Sequence, residues 1–203
     1  AVQHAGRTKP LDSLSRETVE FVTGRGRFQG QDPLLTYASW MLQGERWLDV
    51  PLLRIDYLPL RRAAGLDLSR NTYTVRELRT QAALLQLFRT VDEKARRDER
   101  LDKIEDAAQT VGTRLLLFDD AARGQALRIV PHPTDPAGGW FTLPEAAQAP
   151  FFDVTALQSA MDQLAAAFPA GDGPGLATAA AALRHAQAQI APAAMPPAAT
   201  LAR

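Results

Sequence analysis

The stretch Thr74-Val-Arg-Glu-Leu-Arg-Thr-Gln-Ala-Ala-Leu-Leu-Gln-Leu-Phe-Arg-Thr-Val91, continued by Leu101-Asp-Lys-Ile-Glu-Asp-Ala-Ala-Gln-Thr-Val-Gly-Thr-Arg-Leu-Leu-Leu-Phe118, decides the fold class. It opens on Thr74-Val-Arg-Glu77, a capping box: the threonine oxygen takes one orphan amide of a helix start and the glutamate reaches back to another. Apolar residues then recur at helical spacing through Leu78, Ala82, Leu85, Phe88, Val91, Leu101, Ile104, Ala108, Val111, Leu115 and Phe118, which predicts helix to about Asp119. Between Asp92 and Asp106 the sequence is densely charged. Two readings fit that run. One is a solvated face with ion pairs such as Glu93 with Arg97 and Glu99 with Lys103. The other is a helix–turn–helix broken near residue 98.

Working outward, further helices flank this stretch. Pro10 can open a helix carrying Leu11, Leu14, Thr18, Phe21 and Val22, with Gly24 as its stop. Gly24-Arg-Gly-Arg-Phe-Gln-Gly30 reads as a flexible basic loop. Asp32-Pro33 pairs an N-cap with a first-turn proline for a helix to about Gly44, and Trp47 sits in the following turn. Leu60 to Ala64 is one or two helical turns closed by Gly65. Downstream, Asp153 can cap a helix bearing Val154, Leu157, Met161, Leu164 and Phe168. Pro169 to Gly175 reads as a loop, and an alanine-rich helix runs from about Leu176 to Ile190. Pro51 to Asp56 and Gln125 to Val130 are short extended segments, the second ended by Pro131, and can pair with each other. The expected architecture is mainly α, a single helical domain over residues 1–190 with a small two-stranded β ribbon and low β content. Residues 191–203 read as a linker.

Composition narrows the function. The 203 residues carry 23 basic and 23 acidic side chains, a formal net charge of zero, so no basic excess points to nucleic acid. There is no cysteine, which removes disulfides, thiolate metal sites and thiol catalysis. The three histidines, His4, His132 and His185, are spread along the chain, a poor set for one metal centre. No apolar run approaches the roughly 20 residues that span a bilayer.

Most motif-like features have plain explanations. The glycines of Gly24 to Gly30 follow a helix where a phosphate loop follows a strand. Ser13 and Ser15 lie near Asp12 and His4 but not in a nucleophile elbow. The acids of Asp92 to Asp106 are interleaved with Arg and Lys, as on a charged surface. Trp40, Trp47 and Trp140 suit a core, or a groove that cradles a peptide. The strongest cluster is the opening run Ala1-Val-Gln-His-Ala-Gly-Arg-Thr-Lys-Pro-Leu-Asp-Ser-Leu-Ser-Arg16. It sets Arg7, Lys9 and Arg16 beside Gln3 and Asp12, and arginine forks bind carboxylates bidentately. The same residues can instead lock the entry segment onto the domain. His4 is a possible axial haem ligand or an exposed terminal histidine.

The opening pattern V-Q-x-x-G-R-x-K-P-L-D-[ST] resembles the start of an extracytoplasmic domain in membrane proteins of system II cytochrome c biogenesis, the CcsA/ResB haem lyase type. Phe28-Gln-Gly30 with Asp32-Pro33, Trp47 to Asp56, and Leu127-Arg-Ile-Val-Pro131 with the later Trp140 are similar to further runs of that family, so the likeness spans most of residues 2–145. It implies a periplasmic domain tethered to the inner membrane, with residues 191–203 leading to a membrane segment. It implies a scaffold or partner-binding module, non-catalytic in isolation, that supports haem attachment. The family's tryptophan-rich loop and membrane histidines are absent here, so no cofactor is expected on this fragment, and haem belongs to the parent protein. Expected partners are other biogenesis subunits or membrane segments and apocytochrome c. Expected binding residues are Gln3, His4, Arg7, Lys9, Asp12 and Arg16, with Arg54 and Asp56 behind them. The other readings are a small periplasmic enzyme acting on a carboxylated substrate through the same cluster, and a structural spacer.

Overall fold

The computed structural model describes residues 1–4, 6–124, 127–135, 138–150, 152–192 and 195. Gln125, part of the Thr134–Gly139 loop and most of the expected linker lie outside them. The protein is mainly α with little β structure, as the periodicity predicts. It divides into two compact units.

The first unit comprises Ala1–Ser15 and the chain from Arg123 onward. Its sheet has the order β2-β1-β5-β6, built from Val2–His4 (β1), Arg7–Lys9 (β2), Arg128–Val130 (β5) and Phe141–Thr142 (β6), all neighbours antiparallel. The opening run is therefore a β-hairpin, where the sequence predicts a polar lead into a helix. Gly6 turns it at φ +74°, a left-handed conformation that glycine adopts without a Cβ penalty. Thr142 opens α7 (Leu143–Ala147) with a capping box completed by Glu145. Two longer helices, α8 (Thr155–Ala170) and α9 (Gly173–Ile190), pack as a hairpin. The expected loop from Pro169 to Gly175 shrinks to two residues. Gly171 ends α8 at φ +64°, and the Asp172 carboxylate caps α9 by accepting from the Gly175 amide at 3.0 Å. Val2, Ile129, Val130, Trp140 and Leu157 are buried.

The second unit, Arg16–Ala122, contains the deciding stretch. The first helix, α1 (Leu11–Thr23), starts one residue after Pro10 and ends at Gly24, φ +70°. Helix α2 (Pro33–Trp47) takes the expected cap, with Asp32 accepting from the Leu34 amide at 2.9 Å. It carries Trp47 inside its last turn, past a non-helical Gln43. The predicted helix from Thr74 is real at its start, where the capping box forms, but it is three helices: α4 (Val75–Thr80), α5 (Ala82–Arg96) and α6 (Lys103–Ala122). Gln81 is extended because its side-chain amide donates to the Ala64 and Gly65 carbonyls at the end of α3 (Leu58–Ala63). At the second break Asp98 sits at φ +54°. Asp102 then caps α6 by accepting from the Ile104 and Glu105 amides. Of the two readings of the charged run, the broken helix is the one that forms. Glu99 and Lys103 thus lie across a helix start and lose the spacing for an i,i+4 pair. Lys94 of α5 pairs instead with the buried Glu105 of α6 at 2.7 Å.

Helix α6 packs against α2, α3 and α5. Trp40 lies in the core with its ring edge-on to Phe118 and Trp47, so these two tryptophans belong to one aromatic cluster. The two extended segments of the sequence do not pair with each other. β3 (Leu53–Arg54) pairs with β4 (Thr72–Tyr73), and β5 pairs within the other sheet. Their true partners are two or three residues long, too short to show the alternation that marks a strand. Among the described residues no helix is long and apolar enough to cross a membrane.

Candidate functional site

The opening hairpin holds four of the expected binding residues, Gln3, His4, Arg7 and Lys9. Antiparallel register sets His4 across from Arg7 and Gln3 across from Thr8. His4 and Arg7 are exposed at the hairpin tip. Gln3 is not available for a ligand in the same way: its Oε1 accepts from the Trp140 amide at 2.7 Å and its Nε2 donates to the Gly138 carbonyl at 3.3 Å. Its backbone also lies opposite Arg128 of β5. Gln3 therefore stitches the hairpin to the chain more than 130 residues later. Lys9 closes β2 opposite Val2, and Asp12 lies in the first turn of α1, where a carboxylate complements the positive helix end.

Arg16, Arg54 and Asp56 belong to the second unit. Arg54 and Asp56 form their own group. The Arg54 Nε donates to Asp56 at 2.9 Å, and the Asn71 amide donates to the same carboxylate at 2.8 Å. The Arg54 hydrogen bond is the main cause of a carboxyl held below its usual range. The structure thus brings Gln3, His4, Arg7 and Lys9 together on the hairpin and Arg54 together with Asp56 in the second unit.

One residue the sequence reading missed, Arg114, stands beside the second group. Arg114 of α6 donates to the Arg54 carbonyl at 2.6 Å and lies 5.5 Å from the ring of Phe21. Burial lowers its pKa, with Asp56 opposing that shift. The signal was present: Arg114 is a lone charge in the apolar run Val111 to Phe118.

Ser15 is fully buried and donates to the Leu11 carbonyl at 2.8 Å, an ordinary back-bond within a helix. His132 accepts the Asp135 amide at its Nδ1, and His185 lies beside Gln189. Among the described residues no group of three or more His, Asp or Glu is placed to hold a metal ion.

Among the described residues each unit contains a cavity. One of about 460 Å³ lies between α5 and α6, with Leu85, Phe88, Val91, Leu115 and Leu116 in its lining. One of about 280 Å³ in the first unit is lined by Phe152, Leu157, Ala186 and Ile190 among others. Neither lining includes a histidine.

No family model matches the chain. Over 141 residues, 69% of its length, it is 24% identical to protein NrfI of Wolinella succinogenes. The match takes up 16% of that protein, so this chain corresponds to a small part of a much longer relative.

Proposed function

We propose that this chain is an extracytoplasmic domain of a cytochrome c biogenesis protein, a scaffold or partner-binding module that supports covalent attachment of haem to apocytochrome c. The 141-residue similarity to protein NrfI suggests a role in cytochrome c biogenesis or maturation. One structural observation carries the reading to these residues. The opening pattern, the Leu127–Pro131 run and Trp140 are far apart in sequence, yet they meet in one sheet, joined by the side chain of Gln3 and the β1–β5 pairing. These three family-like runs are thus the framework of the first unit.

Haem fits this fragment poorly. His132 accepts a backbone amide at its Nδ1, His4 is exposed at the hairpin tip, and His185 is exposed beside Gln189; none of the three lines either cavity. In this reading the haem chemistry belongs to the rest of the parent protein. The partner-facing surface of the first unit is the hairpin tip with His4 and Arg7, flanked by Lys9 and Asp12. Other biogenesis subunits, a neighbouring membrane segment and apocytochrome c are the partners this reading implies.

The test is a pair of titrations of the purified chain. One uses haem, followed by absorbance; the other uses an apocytochrome peptide carrying the Cys-x-x-Cys-His attachment site, followed by calorimetry. Saturable peptide binding that weakens in Arg7→Ala supports the module. A chain that binds neither, and that fails to co-purify with a cytochrome biogenesis membrane protein, overturns it.

A further inference from the structure

Three guanidinium groups of the second unit gather round one carboxylate. Arg54 comes from β3, Arg61 from α3 and Arg114 from α6, and all are placed about Asp56. That carboxylate is already taken by Arg54 and Asn71. Arg61 and Arg114 make do with backbone: Arg61 donates to the Arg70 carbonyl at 2.7 Å, Arg114 to the Arg54 carbonyl at 2.6 Å. The Nε–H of each is buried and meets no acceptor among the described residues. Three guanidinium groups thus share a single carboxylate, a local excess of positive charge.

The surroundings add to this. The Phe21 ring is 40% exposed beside Arg114. Gly24 abuts the Arg54 side chain, and the loop that follows it carries the exposed Arg25 and Arg27, which make no ion pair among the described residues. Three cations around one anion leave a positive excess that an incoming anion relieves, the more so where they are partly screened from water. Arginine presents a planar fork that matches a carboxylate. An aromatic face next to that fork favours an anion borne on a carbon chain over a bare inorganic one.

We propose that Arg114, with Arg54, Arg61 and Phe21 around it, is a binding site for a carboxylate of an acidic peptide segment. The Nη2 end of Arg114, the part not held by the Arg54 carbonyl, takes the carboxylate with Arg54 and Arg61 beside it, the ring of Phe21 takes the peptide's apolar part, and Arg25 and Arg27 attract neighbouring acids. This site is separate from the opening hairpin, and it stands whether or not the chain serves cytochrome maturation.

The experiment uses a fluorescent, end-capped peptide of alternating Glu and Leu, its Gln-for-Glu counterpart, inorganic phosphate, and vesicles of anionic lipid. Each is titrated against the whole chain and against Arg114→Ala, Arg114→Lys and Phe21→Ala, with melting curves for every variant. The expected result is saturable binding of the Glu peptide that fades with salt. It weakens about tenfold or more in Arg114→Ala and Arg114→Lys, and the Gln peptide does not bind. Where Arg114→Ala melts before it can be assayed, Arg114→Lys and Phe21→Ala decide the matter. The proposal fails if the Gln peptide binds equally, if Arg114→Lys binds as tightly as the parent, or if phosphate or vesicles bind and the Glu peptide does not. Silence of the haem and Cys-x-x-Cys-His titrations leaves this result unaffected, so the two readings fail separately.

Discussion

The side chain of Gln187, 1% exposed, donates its two amide hydrogens to the Ile129 carbonyl at 2.7 Å and the Ala1 carbonyl at 3.0 Å. Gln187→Leu keeps the volume but leaves a buried strand carbonyl without a donor. It should destabilise the first unit by about 1–3 kcal/mol, read in urea or thermal melts. Asp56 governs a pH effect instead. Its carboxyl is held below its ordinary pKa, chiefly by the Arg54 hydrogen bond. The folded state therefore binds that proton less readily than the unfolded chain does. The resulting stabilisation is full above the ordinary carboxylate range and is lost as pH falls through and below it. Asp56→Asn should flatten that part of the stability–pH curve while changing little at neutral pH, since the group is largely exposed.

Between elements, α2 and α6 approach closely at Gly44. A Cβ on Gly44 would stand 2.7 Å from the Ala122 Cβ. Alanine gains up to about 1 kcal/mol over glycine in a helix, but overpacking costs about 1–3 kcal/mol, so Gly44→Ala should lower the melting temperature. Adding Ala122→Gly should recover it, and a double variant no more stable than the single one sinks this packing account. At the α5–α6 corner, Glu105 accepts from both Lys94 and the Asp102 amide. Glu105→Ala should speed hydrogen exchange across residues 97–103 while leaving the start of α5 protected. These elements also show what the sequence carried. Local chemistry was legible: the Thr74 capping box, the Asp32 cap, and Gly24 and Gly65 as stops all form. Long-range causes were not. Nothing near Gln81 announces a break, because its partners are the Ala64 and Gly65 carbonyls of another helix. The opening hairpin hid for the same reason, since its strands are three residues each and are completed by β5. In the candidate sites, residue types pointed to the arginines and acids, but only the fold reveals that Gln3 is spent on backbone and that Arg114 joins Arg54.

At the scale of the whole chain, one unit is contiguous in sequence and the other is assembled from both ends. A fragment of residues 11–122 retains all of α1 and the Trp40–Phe118 cluster, and should unfold cooperatively by itself. A fragment from residue 123 onward lacks β1 and the Gln3 bonds to Trp140, and should show helix from α8 and α9 without a sharp transition. Circular dichroism melts of both fragments check this. Helicity in the second with a cooperative melt equal to that of the intact chain would contradict the role given to the hairpin. The sheet order β2-β1-β5-β6 has one more effect. It puts β2 on an open flank, where unpaired backbone groups offer a template to any extended chain that drifts past. Arg7 and Lys9 sit on that flank. Whatever they recognise, their charges also repel a second copy of the same strand, so neutralising both invites edge-to-edge stacking into insoluble aggregates.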